Sequence, residues 1–162
     1  MLILMLAAGK KSGKPVDGLT KLAKLDFLLR YPNCLERALK AAGRDPAGAM
    51  VQPYERANIE TSMVRFRYGP WDYRYRRWLS LLVAREFASA AVQGRTVKLR
   101  LTETGRTVAE SLIEQEAFTD LARRSRVVSQ AFGDKSGTWL KDFIYATFPE
   151  LIGMRWGEEI VL

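Results

Sequence analysis

Residues 63–104 read MVRFRYGPWDYRYRRWLSLLVAREFASAAVQGRTVKLRLTET, and no other stretch of the chain limits its fold so tightly. Gly69-Pro70 demands a tight turn, because glycine reaches backbone angles closed to other residues and proline pre-sets its own φ. From about residue 71 to residue 87 the spacing is helical. At roughly 100° per residue, Trp71, Tyr75, Trp78, Leu79 and Leu82 fall within about a third of the circumference, while Tyr73, Arg76, Arg77 and Ser80 lie opposite. One face is core and the other is cationic. Asp72 sits where a carboxylate stabilises a helix N-terminus.

Residues 91–100, AVQGRTVKLR, follow that helix, with a turn at Gly94. Val97, Leu99 and Leu101 alternate with Lys98 and Arg100, the pattern of a strand with one face on the core. Thr102 is a cap for a further helix, and Gly105 stands close behind it. Extended piece, turn, helix, strand pair, helix is the order of a helix-turn-helix with a wing. The fold expected is therefore mainly α with a small β wing: a winged helix-turn-helix domain over residues 1–105 and a C-terminal helical docking extension over 106–162.

A helix of this kind entering a major groove would lay the wing over neighbouring phosphates. Tyr73, Arg74, Arg76, Arg77 and Ser80 of the helix, with Arg95, Lys98 and Arg100 of the wing, form the candidate surface for double-stranded DNA. The bulk charge agrees, with 26 Lys and Arg against 18 Asp and Glu and a net charge of +8. Arginines on the outer face of an amphipathic helix are also what any solvated helix carries, so the pattern leaves both uses open.

The absence of histidine excludes hydrolases that use an imidazole base and zinc sites with His ligands. One cysteine, Cys34, excludes an intramolecular disulfide and an all-thiolate zinc site, and it favours a reducing cytoplasm. Cys34 reads as a small core residue. No cluster of Asp and Glu has metal-site spacing, which argues against a carboxylate-dependent nuclease; Lys, Tyr and Ser are too common to point to a reaction, and no cofactor is expected.

Residues 1–8, MLILMLAA, are apolar but too short to span a bilayer, and Lys10, Lys11 and Lys14 follow them on the wrong side for a signal peptide. They read as a first core helix, and no membrane association is expected. Residues 9–18 imitate a phosphate-binding loop, yet only three residues separate Gly9 from Gly13 and Pro15 follows Lys14, so the nucleotide reading fails. A second helix over 19–31 takes Asp17 or Thr20 as cap and stops at Pro32. Its Leu22, Leu25 and Leu29 share a face that Phe27 and Leu28 widen, so it is buried on more than one side. Residues 33–42 give another helical piece and 43–48 a loop. A short helix over 55–61 and an extended piece at 64–67 follow, the latter being either a solvated strand edge or a binding surface.

Beyond the wing, residues 103–116 and 119–132 read as helices, the second capped by Thr119 with Leu121, Ser125, Val128 and Phe132 as its apolar line. Arg123, Arg124 and Arg126 lie largely off that line. After a loop at 133–137, a helix capped by Ser136 or Thr138 carries Trp139, Leu140, Phe143, Ile144 and Phe148, too much apolar surface to stand free, so it must dock, either on the wing domain as core or on a partner. Trp139, Phe143, Phe148 and Trp156 are the candidate partner interface. The last residues, Ile160, Val161 and Leu162, could add a strand to a neighbour's sheet edge.

The order YGPWDYRYRRWLSLLVAREFA, a turn, then VKLRLTETGR resembles the winged-helix pattern of bacterial proteins in which a GP turn precedes a Leu-rich helix and the wing ends in an "LT..G" signature. With LTKLAKLDFLLRYPNCLERAL before it and SGTWLKDFIYATFPEL after it, the chain resembles the small middle components of three-gene bacterial defence systems built on an SMC-like or ABC-type ATPase, the Lamassu type included. The resemblance implies a non-catalytic subunit that bridges the ATPase and an effector in antiphage defence and carries no catalytic residues. A different class stays open: a stand-alone DNA-binding regulator that pairs with a second copy of itself and reads two half-sites.

Overall fold

The computed structural model describes residues 1–10, 15–52, 55 and 62–162. In chain order it contains α1 (Leu2–Lys10), β1 (Val16–Asp17), α2 (Gly18–Arg30), α3 (Pro32–Ala41), β2 (Val64–Phe66), β3 (Gly69–Trp71), α4 (Tyr75–Ala84), β4 (Ala88–Gln93), β5 (Thr96–Leu101), α5 (Glu103–Ile113), α6 (Thr119–Phe132), α7 (Gly137–Thr147) and α8 (Glu150–Gly153). Short 3-10 turns occupy Pro46–Ala49 and Glu116–Phe118. The chain is mainly helical with a small antiparallel sheet. The short helix expected over 55–61 lies outside the described residues except for Glu55, as does the part of the glycine-lysine loop at 11–14.

The helix at the centre is α2. Leu22, Ala23, Leu25, Phe27, Leu28 and Leu29 are all buried, so the apolar surface read as wider than one stripe is covered by neighbours on several sides. Those neighbours include α3, α6, α7, β1, β3 and β5. Each fully buried Leu or Phe contributes on the order of 1.5–3 kcal/mol relative to exposure. The helix ends before Pro32, which opens α3 instead, because proline suits a first turn and not an interior. Asp17 precedes α2 without capping it through its side chain; its carboxylate accepts a hydrogen bond from Lys98 Nζ at 2.6 Å.

Two lysines share this central helix. Lys24 is 1% exposed and donates to the Thr20 carbonyl at 3.1 Å, and burial, with Lys141 nearby, lowers its pKa to about 8. Lys21 donates to the Gly133 carbonyl at 2.9 Å, which ties α2 to the end of α6. Cys34 is buried as expected, and burial pushes its thiol up to about 12.

Strands β1, β5 and β4 form one sheet in that order, all antiparallel. Val16 pairs with Leu99 and Asp17 with Lys98 on one side, and Ala88 pairs with Leu101 through to Gln93 with Thr96 on the other. The hairpin turns at Gly94, which adopts φ +61. It is longer than the 91–100 expected, and β1 was not expected at all. Thr102 caps α5 as read: its hydroxyl accepts from Gly105 N–H at 3.0 Å and donates to the Glu86 carbonyl.

The helix expected over 71–87 is shorter. Gly69–Trp71 pairs with Val64–Phe66 as a second hairpin, Val64 opposite Trp71, so these residues are extended. Asp72 then accepts from the Arg74 backbone N–H at 2.9 Å, and helical structure begins only at Tyr75. At the other end Glu86 takes a left-handed φ of 56, which turns the chain into β4.

The C-terminal helices share the core with the first two. Leu140, Ile144, Phe148 and Leu151 lie in one buried cluster with Leu4, Leu22, Leu25 and Phe27. Thr119 is the first residue of α6 and not its cap; Phe118 holds that position without a side-chain bond. Arg124 does not lie on a solvated face. It is buried, donates to both carboxylate oxygens of Glu55 at 2.8 Å and reaches the Ala49 carbonyl at 3.3 Å. The tail turns inward to this chain's own β2: Arg65 N–H donates to Glu158 O and Gly157 N–H to Arg65 O, both at 2.7 Å, and Ile160 N–H to Met63 O at 2.8 Å. Tyr31 locks that seam, its hydroxyl accepting from Met63 N–H at 2.7 Å and donating to Ile160 O at 3.0 Å.

Candidate nucleic-acid interface

Helix α4 is held by a charged network beneath its first turn. Arg30 of α2 donates to Asp26 at 2.5 Å and to Asp72 at 2.8 Å. Arg74 forms a fork on Asp72, Nε to Oδ1 at 2.9 Å and Nη2 to Oδ2 at 2.6 Å, and Tyr75 Oη donates to Asp26. Burial opposes charge on Asp72, yet the hydrogen bonds from Arg74 and Arg30 hold its carboxyl well below the usual range. Burial and the neighbouring Asp26 push the Tyr75 hydroxyl up, which keeps it a donor. The Arg30 and Arg74 guanidinium groups also face the Trp78 ring at 5.9 and 4.9 Å. The network joins two helices and the β3–α4 turn, so α4 is positioned by α2.

Its outer face carries Arg76, Arg77 and Ser80, all exposed, and neither arginine has an ion pair among the described residues. Arg74, by contrast, is engaged with Asp72 and Trp78. The inner face holds Tyr75, buried, with Trp78, Leu79 and Leu82 partly buried against the core. Trp71 and Tyr73 precede the helix and so belong to neither of its faces, although Tyr73 is 61% exposed beside it. Leu81 and Val83 are also exposed, so the outer surface is not purely cationic.

In the β4–β5 hairpin Arg95 is exposed at the turn and Arg100 is exposed on β5. Lys98 is only partly exposed and pairs with Asp17, its cross-strand neighbour, so one of the three expected wing cations is already neutralised. Arg106 of α5 shares a small depression with Arg100, a neighbour that sequence spacing did not reveal. Val92 and Val97 face each other across the hairpin near its tip and are both exposed.

The four residues expected at a partner interface separate into three places. Trp139 stacks on Phe143 at 4.8 Å and 11° on the outside of α7 and is 39% exposed. Phe143 in turn packs on Phe132 at 5.4 Å. Phe148 is fully buried, edge-on to Phe27 at 5.5 Å, where no partner can reach it. Trp156 is 65% exposed and packs on Phe66 of β2 at 6.2 Å.

A cavity of about 430 Å³ lies behind α4. Leu2, Leu4, Leu22, Leu82, Leu112 and Leu121 are among its walls, and Asp26, Arg30 and Tyr75 also line it. Among the described residues there is no group of three His, Cys, Asp or Glu that could hold a metal ion, and no helix long and apolar enough to cross a membrane. No known protein family, curated protein or solved structure matches the chain.

Proposed function

We propose that this chain is a non-catalytic winged-helix subunit that contacts duplex DNA through α4 and the β4–β5 hairpin within an SMC-like or ABC-type ATPase complex of antiphage defence. What carries the reading is the arrangement α1, β1, α2, then α4, β4 and β5, with the sheet in the order β1-β5-β4. This order supports the winged helix-turn-helix reading when residues 31–74 are taken as an insertion between the second helix and the helix proposed to enter the groove. Arg76 and Arg77 then stand on the helix and Arg95 and Arg100 on the wing. The ATPase and effector partners rest on the resemblance of the sequence pattern alone. Exposed Val92 and Val97, paired near the hairpin tip, offer apolar surface to a protein partner.

The test is fluorescence anisotropy of a labelled random-sequence duplex titrated across salt, beside Arg76→Glu plus Arg77→Glu. Each phosphate contact contributes a slope of about 0.9 in log K against log salt, so the double variant should bind more weakly and with a flatter slope. An unchanged slope in a folded variant overturns the assignment of DNA to α4. A marked preference for one defined sequence would favour the stand-alone dimeric regulator.

A further inference from the structure

Beside α4 an aromatic cluster reaches the surface. Phe66 is its centre, with Trp71 stacked at 6.3 Å, Tyr73 edge-on at 5.9 Å and Trp156 tilted at 6.2 Å. Trp71 continues inward to Tyr75 at 5.3 Å and Tyr75 to Trp78 at 5.7 Å, so the rings run unbroken from the tail to the inner face of α4. At the outer end the rings are open to solvent: Trp156 is 65% exposed, Tyr73 61% and Tyr68, next to the cluster in sequence, 51%. Three large rings bared within one hairpin and the tail docked on it are more than solubility asks of a surface.

The charges around them narrow the occupant. Arg67 lies 5.3 Å over the Tyr68 ring, and Arg155 is exposed next to Trp156. Against them stand exposed Glu158 and Glu159, while Asp72 is already bound by Arg30 and Arg74. Continuing onto α4, Arg76 and Arg77 leave the whole surface with a cationic excess. Flat exposed rings interleaved with arginines, contiguous with a helix assigned to phosphates, match the stacking surfaces that hold unpaired bases.

We infer that Tyr73 and Trp156, braced by Phe66, form a stacking platform for unpaired nucleotides flanking the duplex held by α4. The platform rests on the DNA reading of α4 and extends it: the preferred ligand is a duplex with a single-stranded tail. The hairpin supplies Phe66 and the tail supplies Trp156, so the platform exists only because residues 157–160 dock on β2.

The experiment compares three labelled probes with the full chain: a short blunt duplex, the same duplex with an oligothymidine tail, and the oligothymidine alone. Stacking of one or two bases should favour the tailed duplex by about tenfold or more. In Trp156→Ala the tailed-to-blunt ratio should fall toward one, and Trp156→Phe should restore most of it, with thermal melts verifying that each variant is folded. Equal affinity for tailed and blunt duplexes, with the salt slope on α4 intact, overturns the platform and leaves the duplex reading standing. Tail binding that depends on Trp156 but not on Arg76 and Arg77 overturns the duplex on α4, and with it the tailed-duplex proposal, and leaves Trp156 as a stacking residue for single strands alone. Binding to none of the probes overturns both and marks the rings as a protein-docking surface.

Discussion

A Cβ placed on Gly105 would lie 1.7 Å from the Phe87 carbonyl oxygen and 2.6 Å from its carbonyl carbon, so α5 begins in direct backbone contact with the turn that ends α4. Thr102 completes the joint: its N–H donates to Phe87 O at 3.2 Å while its hydroxyl bonds Glu86 and Gly105. The LT..G signature thus has a physical content. Threonine caps α5 and ties down the left-handed Glu86, and only glycine leaves room for the approach.

Gly105→Ala should therefore destabilise the chain by about 3 kcal/mol or more, since the obstacle is backbone and cannot move aside cheaply. Gly94→Ala is the comparison. There φ is +61 but nothing lies within 4 Å, so the expected cost is only the left-handed strain, about 1 kcal/mol. Thermal melts of the two variants check the ranking; equal losses would contradict the close approach.

Removing Arg30 should be costly because it leaves Asp72, 5% exposed, with Arg74 as its remaining partner, and Asp26 without its α2 pair. Arg30→Met is expected to lose about 3 kcal/mol, the scale for breaking a largely buried ion pair from one side. Denaturant unfolding measures it.

The same network predicts an acid limb. Asp72 titrates below its ordinary value of 3.8 in the folded chain, so its ionised form adds stability that is complete above that value and is lost as pH falls below it. Asp72→Asn should lower stability at neutral pH and flatten the stability profile below about pH 4. A variant profile parallel to that of the parent chain throughout would show that Asp72 does not drive the limb.

Lys24 has the opposite sign. Its pKa falls from 10.5 to about 8, so between those values the unfolded chain binds the proton more tightly than the folded one. Stability then rises as pH rises from about 8 to 10.5 and is penalised by a constant amount, about 3 kcal/mol, below 8. Lys24→Met should stabilise the protein at neutral pH, and its advantage should shrink as pH approaches 10.5. Melting temperatures of the two proteins across that range provide the check.

In the hairpin, Arg95→Ala plus Arg100→Ala should flatten the salt slope of duplex binding by up to about two contacts' worth, whereas Lys98→Ala should change it little. Lys98 is held by Asp17 at 2.6 Å, and both side chains are partly exposed, so losing the pair costs stability less than about 1 kcal/mol. A Lys98 effect equal to that of an exposed arginine would mean that the Asp17 pair opens on DNA.

Much of the candidate surface was legible locally. The helical period separated Arg76, Arg77 and Ser80 from Tyr75, Trp78, Leu79 and Leu82, and those residues do divide between exposed and core-facing sides. It misled at Trp71, which pairs with Val64 as a strand, and at Tyr73, which lies in the Asp72–Arg74 turn before α4 begins. The burial of Arg124 was not legible for a related reason: its carboxylate partner, Glu55, is 69 positions away.

Features set by neighbours along the chain can be read from the residues alone: the apolar breadth of α2, the break at Pro32, the two faces of α4, the alternation in β5 and the Thr102 cap. Long-range packing decided the two-residue β1, too short to show a period, and the Asp17–Lys98 pair between residues 81 apart. It also decided where Trp156 goes. A side chain's helical or strand phase is set within a few residues, but its partner is set by whichever distant segment packs against it, and here residues 157–160 choose this chain's own hairpin.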